Sequence, residues 1–134
     1  ATADGRYAFT PYSTNFSPAL TTHIAGPLSV IQSFTKFDLK RIANGGPLTL
    51  EIHDTTFRNP DGVEKVAHLV KSFILLGGHQ LQLNAVNREK LIDAQKHPGK
   101  YPNLIVRVWG WSGYFDELDT PFQDHVIRRT EYIV

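Results

Sequence analysis

A glycine between two tryptophans, Trp109-Gly110-Trp111, is the segment of this sequence whose residue types offer unusual chemistry. Loss of an α-hydrogen from glycine leaves a planar carbon radical that is delocalised over the flanking amides, and a side chain would crowd that arrangement. Such a radical needs protection from water and oxygen. The bulky neighbours in the sequence are Trp109, Trp111, Tyr114 and Phe115. A structural interpretation carries more weight from the residues alone: the glycine permits an unusual backbone conformation, and the tryptophans anchor a core or an interface.

The composition limits the chemistry that this chain of 134 residues performs by itself. It contains no cysteine, so disulfides, thiolate metal ligands and thiol nucleophiles are excluded. The histidines occur singly, without the tight spacing of a metal site. Those considered as ligands are His53, His68, His79 and His125. We therefore expect no metal centre and no cofactor bound in this chain.

Charge and hydropathy exclude two classes of partner. The formal net charge is +1, and lysine and arginine are scattered instead of forming the basic stripe of a nucleic-acid binder. The longest apolar runs, such as residues 73–76, are too short to span a bilayer. Residues 1–6 lack the basic and apolar regions of a secretory signal. We expect a cytoplasmic protein with no nucleic-acid partner and no membrane span.

The element that positions the glycine is a β-branched run, Leu104–Val108, which predicts a buried strand leading into a glycine-rich loop. Alternating polarity predicts two further strands, at Leu48–Ile52 and His79–Val86. Helices are predicted at Pro27–Phe37, from Pro60 to the glycine pair at 77–78, at Arg88–Lys96 and at Thr120–Arg129. This alternation of helices and strands indicates an α/β layer.

Local signals set the ends of the predicted helices. Asn59 is expected to cap the second helix, with Pro60 at its first position and Gly77-Gly78 after its last turn. Asn87 is expected to cap the third helix in the same way. The apolar stripe that we expect to face the core of the second helix consists of Val63, Val66, Ala67, Val70, Phe73 and Ile74.

The first 26 residues contain many turn formers and few periodic patterns, which indicates an irregular segment. A free-standing domain rarely opens on so long a structureless stretch. We therefore expect residues 1–26 to pack on the rest of a larger architecture. Residues 1–134 would then be one region, with an α/β part at 27–134 and the loop at 107–115.

Five segments, in the right order, resemble the C-terminal region of glycyl radical enzymes of the pyruvate formate-lyase-like superfamily. Residues 106–112 are similar to the signature in which Arg-Val precedes a small residue, the radical glycine and an aromatic residue. The other segments are 2–6, 77–84, 93–104 and 123–131. The resemblance implies the C-terminal portion of a β/α barrel, with the radical glycine, Gly110, on a loop after a buried strand. It assigns shielding or anchoring of that loop to Arg107, Val108, Trp109, Trp111, Ser112 and Tyr114.

Two residues depart from the usual signature. Trp109 stands where the family usually has a small residue, and Trp111 stands where it often has tyrosine or phenylalanine. In this form the segment most resembles the catalytic subunits of benzylsuccinate and alkylsuccinate synthases, which add a hydrocarbon across the double bond of fumarate. Arylacetate decarboxylation and diol dehydration, from other branches of the family, are the alternative activities.

In this family the glycyl radical takes a hydrogen atom from a cysteine on a separate loop, and the thiyl radical attacks the substrate. Since this chain has no cysteine, the resemblance implies a C-terminal piece of a larger enzyme, without turnover of its own. Such a piece would be a split subunit, a cleaved part of one long polypeptide, or a small spare-part protein that restores oxygen-damaged enzyme. The last fits less well, because the known spare parts resemble pyruvate formate-lyase around the glycine.

The resemblance also implies the partners. They are a larger chain or segment with the thiyl cysteine, a radical S-adenosylmethionine activating enzyme that installs the radical on Gly110 in an anaerobic organism, and small accessory subunits. The implied substrates are fumarate and a hydrocarbon. A binding module whose tryptophans serve an interface is the alternative from another class of protein.

Overall fold

The computed structural model describes residues 2–3, 5–10, 13, 15–19, 22–108, 110–129 and 131–132. The helices and strands are α1 (Pro27–Phe34), β1 (Pro47–His53), α2 (Pro60–Leu75), β2 (Gln80–Val86), α3 (Arg88–Lys96), β3 (Ile105–Arg107), β4 (Ser112–Tyr114), α4 (Thr120–Arg128) and β5 (Glu131–Tyr132). Short 3-10 turns lie at Leu39–Arg41, Asp54–Arg58 and Phe115–Glu117. The predicted α/β class is confirmed.

A parallel sheet of order β2-β1-β5 contains β1 as its central strand. The whole of β1 pairs with β2, and its end pairs with β5, where Glu51 lies opposite Glu131 and Ile52 opposite Tyr132. The connection between β1 and β2 passes through α2, since parallel neighbours need a long crossover. The sequence does not predict β5, because a strand of two residues carries no periodic pattern.

The larger of two apolar clusters, called here the sheet core, lies between this sheet, α1 and α2. Its buried residues are Val30, Ile31, Phe34, Leu39, Leu48, Leu50, Ile52, Val66, Leu69, Phe73 and Tyr132. The rings of Phe34 and Phe73 stack with centroids 6.0 Å apart and an interplanar angle of 7°. This stacking joins α1 to α2 over the sheet.

The buried face of α2 differs from the predicted stripe. Leu69, which the stripe omitted, is buried, whereas Val63, Ala67 and Ile74 of the predicted stripe are exposed. Apolar residues occupy much of the circumference of this helix, so several stripes are equivalent in the sequence. The choice among them is made by Phe34 and by the 3-10 turn against which α2 packs. The predicted ends of α2 are confirmed: the Asn59 side chain accepts a hydrogen bond from the Asp61 N–H, and the helix stops just before the glycine pair.

The second cluster, called here the hairpin core, lies beneath the antiparallel hairpin of β3 and β4. It is formed by Leu91, Ala94, Val106, Phe115, Val126 and Ile127, which come from α3, α4, the hairpin and the turn after it. Asn87 caps α3 as predicted, its side chain accepting from the Lys90 N–H. The hairpin core therefore joins the third and fourth helices to the segment that contains Gly110.

Two predicted elements are shorter than expected. The first helix ends at Phe34 instead of Phe37, where the Thr35 hydroxyl donates to the Ile31 carbonyl and competes for the backbone acceptors of the last turn. The strand before Gly110 spans Ile105–Arg107 and is buried on one face only, with Ile105 58% exposed. The helices α3 and α4 pack against one side of the hairpin, so the opposite side of β3 is exposed to solvent.

In its described residues before α1, the opening segment consists of turns, bends and irregular backbone, without a helix or strand. Phe16 packs edge-to-face on Phe34, with centroids 5.8 Å apart. The Ser17 hydroxyl exchanges hydrogen bonds with the N–H and carbonyl of Thr49, each 3.1 Å long. Part of this segment thus packs on the chain's own sheet. In the described part of the chain, no helix has the length and hydropathy needed to cross a bilayer.

Candidate functional site

Gly110 lies at the tip of the β3–β4 hairpin. The strands pair with Ile105 opposite Tyr114 and Arg107 opposite Ser112. One step further, the Val108 N–H donates to the Trp111 carbonyl over 2.9 Å and closes a loop of two residues. Loops this short require a positive φ at one or both positions. The local geometry therefore demands a residue such as glycine at the tip.

The backbone of Gly110 meets this demand with a φ of 83°. Among the described residues, and apart from the two chain neighbours of Gly110, no heavy atom lies within 4 Å of the point where a Cβ would stand. One of the two α-hydrogens of glycine occupies that direction, so no described residue beyond the two chain neighbours stands next to this C–H bond. Positive φ, and not crowding, is what selects glycine here. An accessible α-hydrogen is the feature that hydrogen-atom abstraction needs.

Two of the aromatic residues expected to shield the loop are partly open to solvent. Trp111 is 46% exposed and Tyr114 is 43% exposed. The Trp111 ring lies over Gly113, where an added Cβ would come within 2.8 Å of its Cζ3 atom. Trp109 lies outside the described residues. Shielding of Gly110 by these side chains stays a prediction, and any full enclosure needs groups beyond those that the structure describes here.

The remaining predicted residues hold the hairpin together. The Arg107 guanidinium donates to the Ser112 hydroxyl across the strand pair, with Nη1 and Oγ 3.3 Å apart. Val108 is buried. Ser112 itself is exposed. The anchoring role expected for Arg107 is therefore compatible with a contact inside the hairpin, between the residues at its last paired position.

Arg129, which the sequence placed at the end of the last helix and toward its inner side, binds the base of the loop. Its Nη1 donates to the Arg107 carbonyl over 2.7 Å, and its Nη2 donates to the Val108 carbonyl over 2.5 Å. The same Nη1 lies 3.0 Å from Oε1 of Glu51. One guanidinium thus joins the hairpin to the central strand of the parallel sheet.

Glu51 is a second residue that sequence reasoning missed. The alternation in β1 predicts an outward, solvated side chain, but the residue is only 5% exposed. Its Oε1 also accepts from the Asn84 amide over 3.0 Å, and the Asn84 Oδ1 accepts from Gln82 over 2.9 Å. The face of the sheet opposite the sheet core is therefore polar but covered. The sequence signal that could have identified Glu51 is a carboxylate in the middle of a strand, between the apolar residues Leu50 and Ile52.

His125 lies four residues before Arg129, on α4. Burial lowers the pKa of His125, and the positive charge of Arg129 lowers it further. The neutral imidazole is therefore favoured near the Arg129 contact. Within the described ranges, no three histidine, aspartate or glutamate side chains form a group that could hold a metal ion.

The fold and the hairpin correspond to a known family. The family described as "Glycine radical" matches residues 12–116. This chain therefore belongs to the glycine radical family, the radical-bearing domain of glycyl radical enzymes.

Relatives and solved structures agree with this family. A probable dehydratase, YbiW, of Escherichia coli (strain K12) is 39% identical over 135 residues, covering 100% of this chain and 17% of the relative. The 4-hydroxyphenylacetate decarboxylase glycyl radical subunit of Clostridioides difficile (strain 630) is 39% identical over 133 residues, covering 98% and 15%. The glycerol-bound structure of the glycerol dehydratase from Clostridium butyricum is similar with a TM-score of 0.91 and 33% identity, covering 100% and 17%.

The chain thus spans between 15% and 17% of the length of these proteins. Their names describe dehydration and decarboxylation, the chemistry of the alternative branch considered from the sequence. None of these three is named as a synthase that adds a hydrocarbon to fumarate. The family assignment from the signature around Gly110 is confirmed, and the more specific resemblance to fumarate-adding synthases is not carried by these relatives.

Proposed function

We propose that Gly110 stores the unpaired electron of a glycyl radical enzyme and that this chain is its radical-storing part. The observation that carries the proposal is the place of Gly110 at the tip of the β3–β4 hairpin, where its backbone has a φ of 83°. A radical at this carbon is delocalised over the amides on both sides. The membership of the chain in the glycine radical family supports the same residue, which lies inside the matched region.

The chemistry then needs two partners. A radical S-adenosylmethionine activating enzyme takes one hydrogen atom from the Gly110 α-carbon and leaves the radical there. The glycyl radical next takes a hydrogen atom from a cysteine thiol, which becomes a thiyl radical and regenerates glycine. This chain has no cysteine, so a larger chain or segment supplies it. The share of the relatives' length that the chain spans leaves ample room for such a segment.

The opening segment supplies a surface toward that larger part. Tyr7 is 88% exposed and Phe9 is 104% exposed, which is unusual for aromatic side chains without a partner. We propose that these two rings contact the cysteine-bearing part of the enzyme, as expected for residues 1–26. The whole chain, residues 1–134, then works as one radical region with its reactive loop at 107–115.

Two classes of overall reaction are candidates. The first is a lyase reaction, dehydration of a diol or decarboxylation of an arylacetate, which the names of the relatives support. The second is addition of a hydrocarbon to fumarate, which the tryptophans on both sides of Gly110 support through the resemblance of that segment. The lyase class is the better supported, because the relatives align with the whole of this chain and not with one loop.

Electron paramagnetic resonance tests the radical assignment. The full enzyme is activated anaerobically, and a glycyl doublet is expected. Gly110→Ala abolishes it. Gly99→Ala is the matched control, because Gly99 has a φ of 84°, is exposed and has equally open space at its Cβ position. A doublet that survives Gly110→Ala, or one that Gly99→Ala also removes, contradicts the proposal.

Exposure of the activated enzyme to air gives an independent readout. Oxygen adds to the carbon radical, and the chain is expected to break at Gly110, releasing the segment that follows it. Mass spectrometry of the released peptide locates the break. Product analysis with diols, arylacetates, and a hydrocarbon plus fumarate then separates the classes of reaction, with lyase products expected.

A further inference from the structure

Arg129 occupies an unusual position between the two cores. Its guanidinium touches the carbonyls of Arg107 and Val108, the last two residues before the loop, and the carboxylate of Glu51 in the central strand of the sheet. The side chains of the ion pair are 9% and 6% exposed. A charge pair this buried is retained at a desolvation cost, so its geometry calls for an explanation other than stability.

The anchor on the sheet side is rigid. Glu51 lies in β1, which is paired on both sides, and its carboxylate is further held by the Asn84 amide. Asn84 comes from β2, in register with Glu51 across the strand pair. The carboxylate that receives Arg129 is therefore fixed by two strands of one sheet, and it cannot follow a movement of the hairpin.

The planar shape of the guanidinium allows Arg129 to donate hydrogen bonds to all three acceptors. A planar fork can donate from Nη1 to two oxygens and from Nη2 to a third, whereas a lysine ammonium is a single point of charge. The two carbonyls lie one and two peptide units before Trp109, directly upstream of Gly110. Contacts at this place fix the direction in which the two-residue loop leaves β3.

We propose that Arg129 is a positioning residue for Gly110, and that the Glu51–Arg129 pair latches the reactive loop in one place relative to the parallel sheet. The latch acts on the backbone and not on the substrate. Its meaning for catalysis rests on the proposed function of Gly110. With the pair intact, the Gly110 α-carbon is presented from one fixed position, and with it broken the hairpin tip samples several.

Amide hydrogen exchange, measured by mass spectrometry on the full enzyme that contains this chain, tests the latch without any radical. In Arg129→Met, peptides covering residues 105–114 are expected to exchange about tenfold faster, as expected for lost hydrogen bonds to a charged group. Peptides covering β1 and β2 stay unchanged. Arg128→Met is the matched control, because Arg128 is the exposed neighbour of Arg129, and it is expected to behave as wild type.

Two further variants, Arg129→Lys and Glu51→Gln, test the same contacts of the latch. Arg129→Lys restores only part of the protection, since one ammonium cannot serve all three acceptors. Glu51→Gln keeps the shape of the side chain but removes its charge. This variant is expected to raise exchange in the hairpin peptides alone. It replaces Arg129→Met in the test if Arg129→Met does not fold. Unchanged hairpin exchange in both Arg129→Met and Glu51→Gln, or an equal rise in all peptides, overturns the latch.

Electron paramagnetic resonance spectra of the same variants test the latch independently of the assignment of the radical to Gly110. An activated Arg129→Met enzyme is expected to give a broadened doublet from several loop positions, and Arg129→Lys a narrower one. A doublet as sharp as wild type in Arg129→Met contradicts positioning of Gly110. If wild type gives no Gly110 radical, the proposed function fails, and the exchange data still decide whether Arg129 latches the hairpin.

Discussion

The sheet core and the hairpin core differ in how completely they bury the strands that they contact. In β1, Leu48, Leu50 and Ile52 are fully buried beneath two helices. In the hairpin, Val106 is buried but its strand neighbour Ile105 faces outward, and the loop at Gly110 has open space beside it. In the first region the central strand β1 is buried on both faces, at Leu50 on one and at Glu51 on the other. In the second region, one side of the hairpin is exposed.

The exposed loop of the hairpin is held in place by contacts at its base. Apolar packing fixes the base of the hairpin through Phe115 and Val106, but it stops below the loop. Above that level the contacts are polar and point inward, from Arg129 to the Arg107 and Val108 carbonyls. Hydrogen bonds to the backbone can order a loop without covering it, which apolar side chains cannot do.

Truncation of a buried leucine should break the sheet core far more than truncation of an outward residue breaks the hairpin. Leu50→Ala is expected to lower the free energy of unfolding by about 2–5 kcal/mol, because it leaves a cavity at a position that cannot collapse. Ile105→Ala, on the open side of β3, should cost less than about 0.5 kcal/mol. Urea denaturation measures both. Similar losses in the two variants would show that the outer side of the hairpin is packed.

Substitution of the glycine at the hairpin tip tests how little the loop contributes to packing. Gly110→Ala should cost about 1–2 kcal/mol of unfolding free energy, the strain of an L side chain at positive φ. Gly99→Ala should cost the same, since the two positions share a φ near 83° and open space. Thermal denaturation compares them. A distinctly larger loss in Gly110→Ala would mean that the tip is enclosed.

The sheet core should respond to alkali through Tyr132. Burial raises the pKa of Tyr132 from 10.0 to about 12. Above pH 10 the unfolded chain loses this proton while the folded chain keeps it, so the free energy of unfolding falls as the pH rises toward 12. Tyr132→Phe should remove this part of the alkaline loss. A pH profile of the midpoint of denaturation measures it, and identical slopes in both proteins would exclude Tyr132 as the cause.

The hairpin core should respond to mild acid through His125, with the smallest effect. Burial and the nearby Arg129 lower the pKa of His125 from 6.5. As the pH falls below 6.5, the unfolded chain takes up a proton that the folded chain does not accept, so stability falls until the folded pKa is reached. His125→Gln should flatten that slope. A slope that persists in His125→Gln assigns the effect to another group.

Much of the scaffold follows from local sequence signals. Asn59 and Asn87 accept hydrogen bonds at the starts of α2 and α3 as their residue types predict. The alternation in β1 and β2 gives both strands their place. These features depend on neighbours within a few residues, where backbone geometry is nearly independent of the rest of the chain. By contrast, the two-residue β5 and the choice of Leu69 over Ile74 depend on distant partners and carry no local pattern.

The sequence alone determined the family, because the run around Gly110 is contiguous and lies inside the matched region. It also pointed to Gly110 as the proposed radical residue, at a tight turn that favours glycine. It could not determine the buried Glu51–Arg129 pair, whose members are 78 residues apart. A glutamate in a strand and an arginine after a helix are ordinary surface residues by type. Only the pairing of β5 beside β1 and the docking of the hairpin bring them together, since burial is a property of the assembled layers and not of any one segment.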